Sequence, residues 1–183
     1  MDIKITGEVR DYVYKNGILI KEIKGHNLVL NSFNTLLLNL LNLNNHDSHN
    51  FDKSTSGFYF IIGSGKDSWD NELPAPEKSQ GYLETPIGAV KADSFIVNSG
   101  TDEAYISYNA NFPAGTLSGL WREFGIAYTL NSNITPVFIP KPYSPYATYY
   151  LLDKYHHPVI EKDIDISINR VLDFKIRLNP NRI

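Results

Sequence analysis

The chain has 183 residues, of which 42% are apolar, 20% charged and 13% aromatic, with a net charge of −3 and a pI near 5.9. A chain of this length buries about 70% of the surface its unfolded form exposes, so one domain spanning residues 1–183 is expected without a metal or crosslink to hold it. The acidic balance and scattered Lys and Arg argue against a nucleic-acid backbone or an anionic membrane as partner, and the lack of cysteine excludes disulfides, thiolate metal sites and a Cys nucleophile.

The opening phrase MDIKITGEVRDYVY lacks a charged region followed by an apolar run, so no secretory signal is expected there. Residues 3–30 read as two strands around the turn Lys15–Gly17, because the Asn16-Gly17 pair tolerates positive φ and is a strong hairpin signal. From Asn31 the apolar spacing becomes helical, through Phe33, Leu36, Leu37, Leu40, Leu41 and Leu43, and predicts a helix near residues 32–43 capped by Asn31 or Ser32. Interrupted by Asn, Ser and Thr, this segment falls short of the ~20 apolar residues of a membrane span, so a soluble protein is expected.

FYFIIG reads as a short buried strand, followed by a connection that Pro74, Pro76, Gly81 and Pro86 keep irregular. A connection this long is functional or covers a sheet edge. Strand-like alternation resumes in AVKADSFIV, AYISYNANF, LSGLWREFGIAYTL and PVFIP; after a second loop, KPYSPYATYYLLDKYHHP, two last strands are expected at VIEKDIDISI and VLDFKIRLN. About eight or nine strands with one early helix predict a mainly β fold, an antiparallel β-sandwich.

The connection contains GSGKDSWD, which fails as a phosphate loop because Phe60 stands where the first glycine belongs and Asp67 follows Lys66. Asp67, Asp70 and Glu72 lack the alternating ligand ladder of a calcium loop, which leaves a sharp turn with Trp69 folded back as a plug. His46 and His49 have no third ligand nearby, while His156 and His157 are adjacent strand positions that face opposite ways. No nucleophile elbow is present, and Asp163 and Asp165 read as solvated carboxylates. No catalytic residue, cofactor or metal site is therefore assigned.

Two features call for partners. Arg122-Glu123 lies in the most apolar strand, where strict alternation puts one charge in a crowded face; a buried carboxylate needs a cation, and Lys162 is the candidate for Glu123. PYSPYATYYLLDKY carries five tyrosines on a proline-stiffened segment, a composition suited to a binding surface or to a loop folded over the domain's own edge.

The ordered phrases NGILIKEIKGHNLVLNSFNTLLLNLL, FYFIIGSGKDSWDNELPAP, YLETPIG, LWREFGIAYT and PVIEKDIDISI, spanning roughly residues 17–168, resemble the β-sandwich proteins and fibre N-terminal attachment domains of tailed-bacteriophage tails. The resemblance implies a non-enzymatic virion structural component, made in the bacterial host cytoplasm and carried in the tail, that docks other tail, baseplate or fibre proteins as a homo-oligomer. With the chain ending at Ile183, soon after the last such phrase, a free-standing connector, baseplate or tail-tube-end protein is expected rather than a receptor-binding fibre. Trp69, Tyr143, Tyr146, Tyr149 and Tyr150 are the expected interface anchors. A carbohydrate-binding β-sandwich module, using the same aromatic residues as stacking platforms, is the alternative.

Overall fold

A computed structural model describes residues 2–33, 57–99, 103–129 and 149–179. Nine strands make up the described fold: β1 (Asp2–Lys15), β2 (Ile18–Val29), β3 (Gly57–Gly63), β4 (Pro86–Lys91), β5 (Ser94–Ser99), β6 (Glu103–Phe112), β7 (Gly119–Thr129), β8 (Tyr149–Lys162) and β9 (Ile166–Asn179). They form one antiparallel sheet in the order β4-β3-β7-β8-β2-β1-β9-β6-β5, curled into a half-barrel. The fold is mainly β as predicted, but the two-sheet sandwich is not what forms. Leu28 and Val29 of β2 pair with Lys154 and Asp153 of β8, and this short ladder joins the two halves edge to edge instead of leaving them stacked face to face.

The β1–β2 hairpin forms as its sequence predicts, with Asn16 at φ 50° and Gly17 at φ 78°, the pair of positive angles that a two-residue turn matched to strand twist requires. Its ladder slips where Val13 faces Lys21 and Tyr14 faces Leu19, leaving Ile20 as an extra residue. Residues 31–33 take a helical turn, with Phe33 stacked on Phe174 at 5.8 Å. The remainder of the expected helix, the loop histidines His46 and His49, and the PVFIP strand lie outside the described residues.

Alternation along the strands sorts side chains onto two faces. Phe60, Ile62, Phe124, Ile126, Leu152, Phe112, Ile168 and Leu172 fill the inside of the curl, while Ile61, Ala127 and Leu151 point outward and are covered by Leu83 from the connection 64–85.

Three element boundaries differ from expectation. AVKADSFIV is two strands at opposite ends of the sheet order, β4 and β5, joined only by Ala92 and Asp93. At this corner the Ala92 N–H donates to Phe58 O at 2.8 Å and the Asp93 N–H to Asn109 O at 2.7 Å, so one peptide step carries the chain from one side of the curl to the other. The second predicted loop is already strand from Tyr149 onward, and the last turn falls at Asp163–Asp165 rather than after Ile168. Pro158 is accommodated because Trp121 pairs with Ile160 and Glu123 with His156, leaving His157, Pro158 and Val159 bulged against Arg122, where no ladder N–H is needed.

Candidate functional site

That bulge breaks the alternation on which the sequence reading of Arg122-Glu123 depended. Trp121 and Phe124 both turn into the core, and both charges between them are buried, Arg122 at 3% exposure and Glu123 at 0%. Together they hold the two ends of the connection that covers the outer face.

Arg122 holds the beginning. Its guanidinium donates in a bidentate fork to Asp70 at 2.7 and 2.8 Å and to Ser64 O at 3.1 Å, with Asp67 at 3.2 Å. Hydrogen bonding from Arg122 keeps the Asp70 carboxyl below the ordinary carboxylate range. The acid-rich bend is thus organised around an arginine. Among the described residues, no cluster of three or more His, Cys, Asp or Glu side chains could hold a metal ion.

Glu123 holds the end. Its carboxylate accepts the Glu84 N–H at 3.0 Å and the Thr85 N–H at 2.8 Å, and Gly63 leaves room for it, since a Cβ there would lie 2.5 Å from Oε1. The expected cation is the wrong one: Lys154, not Lys162, lies 3.3 Å from Glu123, and it also donates to Tyr82 O at 3.1 Å. Lys162 points elsewhere, donating to Pro113 O at 2.9 Å and Thr116 O at 2.6 Å, where it closes the β6–β7 loop. Burial draws the Lys162 ammonium below the usual lysine range.

Trp69 is the plug between these ends. One face of its indole meets Gly65, whose φ of 61° and bare Cα allow the approach; a Cβ would sit 2.6 Å from the ring. The ring lies 4.3 Å from the His156 ring, centre to centre, and the residue is only 8% exposed. Trp69 is therefore a packing residue of its own domain, not an exposed anchor. His156 donates from Nδ1 to Pro74 O at 2.7 Å, and burial holds its pKa below the ordinary histidine value. Lys66, Trp69, Pro74, Glu84 and His156 line a depression of about 460 Å³ above the sheet.

A second group of buried charges lies inside the curl. Arg170, fully buried, donates to both oxygens of Asp11 at 2.6 Å and stacks 4.3 Å over the Phe124 ring. Asp153 accepts the Ile126 N–H at 3.0 Å and a bond from Asn27 Nδ2, and burial pushes its carboxyl up to about 8. Lys154, Asp11, Arg170 and Asp153 were not singled out by sequence, and His156 was weighed only as a metal ligand. The available signal was the charged pair Asp153-Lys154 following the apolar Leu151-Leu152 in a stretch read as loop.

Of the expected tyrosine anchors, Tyr143 and Tyr146 lie outside the described residues. Tyr149 and Tyr150 are strand positions opposite Thr129 and Tyr128, not loop positions. Among the described residues the most exposed large apolar side chains are aliphatic, Ile18, Leu19 and Ile20 at the hairpin tip, Ile96 and Val97 on β5, and Ile164 at the β8–β9 turn, with Leu73, Leu120 and Val159 less exposed.

Compared with known proteins, the chain matches no protein-family model, and no curated protein matches it.

Proposed function

We propose that this chain is a non-enzymatic structural protein of a tailed-phage virion, a tail, baseplate or connector component that docks other virion proteins as a homo-oligomer. The observation that supports this reading best is the distribution of exposed apolar surface. Among the described residues its most exposed strand members, Ile18–Ile20 and Ile96 with Val97, lie on separate strand edges rather than in one concave site. Strand edges with solvent-facing aliphatic residues are places where other chains add on, and several weak contacts in a ring combine through effective concentration. The buried charges, meanwhile, are directed at the chain's own backbone, where Arg122, Glu123 and Lys154 fix a rigid outer surface.

The carbohydrate-binding alternative loses Trp69 as a stacking platform, because the indole is buried, packed against Gly65 and the His156 ring. It then depends on Tyr143, Tyr146, Tyr149 and Tyr150. Cross-linking within purified particles, with mass determination of the free protein, tests the assembly reading: the chain is expected in the particle beside tail or fibre proteins. Its absence from particles, or glycan-array binding abolished by Tyr146→Ala, would overturn that reading in favour of a lectin.

A further inference from the structure

Four strand edges of the sheet are unpaired among the described residues: β4, β5, residues 18–27 of β2 and residues 155–162 of β8, since the β2–β8 ladder joins only Leu28 and Val29 to Lys154 and Asp153. Proteins ordinarily protect such edges with lysine, proline or a bulge, because an exposed row of N–H and C=O groups templates pairing with another chain. Three of the four edges are protected in this way, β8 by Pro158 in its bulge and by Glu161. β2 carries Lys21, Glu22, Lys24 and the extra residue Ile20, and β4 begins with Pro86, ends with Lys91 and has a register shift beside Gly63.

β5 has none of these devices. Its sequence is Ser-Phe-Ile-Val-Asn-Ser, six residues with no charge and no proline, and its ladder to β6 runs without a shift from Ser94↔Asn109 to Ser99↔Ala104. Ile96 is 65% exposed and Val97 61%. An uncharged, β-prone, unbulged edge of ordinary strand length is a surface that needs cover.

We infer that β5 pairs antiparallel with β5 of a second copy, about a two-fold axis passing through Ile96 and perpendicular to the sheet. This inference builds on the assembly reading and supplies one of its contacts. The occupant follows from the order of residues along the strand. A two-fold of this kind relates position 96 to itself, 95 to 97, 94 to 98 and 93 to 99. Ile96 then meets Ile96 of the partner, the Phe95 position meets Val97, and Ser94 meets Asn98, so apolar stands opposite apolar and polar opposite polar in every central pair. Asp93, which accepts the Asn111 N–H at 2.8 Å, falls at the two ends of the ladder, so the two carboxylates do not face each other. A two-fold on Lys21 or Glu22 of β2 would instead set like charges directly opposite.

Because the chain contains no cysteine, single-cysteine variants report this register directly. Ile96→Cys is expected to join to itself rapidly under mild oxidation or with a short bis-maleimide. Asn98→Cys should do so at least tenfold more slowly, since residue 98 faces 94 of the partner; a mixture of Ser94→Cys and Asn98→Cys chains should cross-link to each other. Ile96→Lys, at an exposed position that leaves the fold intact, should weaken self-association at least tenfold, and Val97→Arg should do the same. The inference is overturned by equal cross-linking at 96 and 98, or by a dimer indifferent to both charged variants. A monomer at every concentration also overturns it, and a monomer with protected β5 amides would identify a segment of the same chain as the cover. Incorporation into particles is read separately. A monomer found in virions removes the strand pairing and leaves the assembly role; a β5-paired dimer absent from virions does the reverse.

Discussion

The Glu123 carboxylate lies 3.3 Å from the Lys154 ammonium with neither side chain exposed, and each also holds the backbone of the outer connection, Glu123 through the Glu84 and Thr85 N–H groups and Lys154 through Tyr82 O. Removing one member leaves a buried charge with fewer partners, which costs about 3–5 kcal/mol in comparable pairs. Lys154→Met is expected to destabilise the protein by an amount in that range. Glu123→Gln should cost less on the Lys154→Met background than alone, so a double-mutant cycle by urea denaturation should give a clear coupling. Additive effects would show that the two side chains act separately.

Gly65 is a second sensitive point. Alanine there meets both a left-handed backbone and the Trp69 ring, so Gly65→Ala should destabilise by about 1–3 kcal/mol. Its signature is spectroscopic: displaced from its packing against Gly65 and His156, Trp69 should emit at longer wavelength in the folded protein. Trp121, fully buried and donating from Nε1 to Leu117 O at 2.8 Å, should keep its emission.

Stability should depend on pH through two buried groups with opposite signs. The His157 imidazole is held down to about 4 by burial and by the positive charge of Arg170, so the unfolded chain takes up its proton first as pH falls. His157 therefore costs stability progressively from about pH 6.5 down to about 4. Asp153 is pushed up to about 8, so the folded chain holds a proton that the unfolded chain has released, and its contribution worsens as pH rises from about 4 to about 8. Asp153→Asn keeps an acceptor for the Ile126 N–H and adds a donor for Asn27 Oδ1, which is without a partner. Its stability relative to the native protein should grow across that interval and level off above it; a difference that stays constant with pH would rule out the titration of Asp153 as the cause.

Arg170 makes contacts that a lysine cannot copy: a fork onto both Asp11 oxygens together with a guanidinium carbon 4.3 Å above the Phe124 ring centre. Arg170→Lys should therefore cost about 2–4 kcal/mol despite keeping the charge. Arg170→Met alone leaves Asp11 buried and unpaired, and adding Asp11→Leu should recover most of its loss in thermal denaturation, because both charges then leave the core together.

The sequence was most legible where structure is local. Asn16-Gly17 specifies the first hairpin by its own backbone preferences, and the apolar run of FYFIIG marks β3 without reference to a partner. Pairing was not legible, because no local feature of AVKADSFIV says that its two halves join strands on opposite sides of the curl. The Arg122-Glu123 site was half legible. Buried charge was evident from the apolar strand around it, but the partner was missed because Pro158 made β8 look like loop and concealed Lys154. Trp69 could be read as a plug or as an anchor, and only the position of His156 in space decides between them.

The placement of β9 governs the order in which the fold can be completed. β9 lies between β1 and β6, paired with both along most of its length, yet it is the last of the described strands in chain order. Until residues 166–179 are present, the β1–β2 and β5–β6 hairpins share no ladder, and Val9, Val13, Tyr108 and Phe112 have no Ile168 or Leu172 to pack on. During synthesis these apolar faces stay open while the intervening chain is made, a window in which neighbouring nascent copies can meet too early. Pulse-labelled amide exchange during refolding should show the β6 amides that bond to β9, as distinct from those that bond to β5, gaining protection no sooner than β9; earlier protection of those amides would mean that another strand first takes the place of β9.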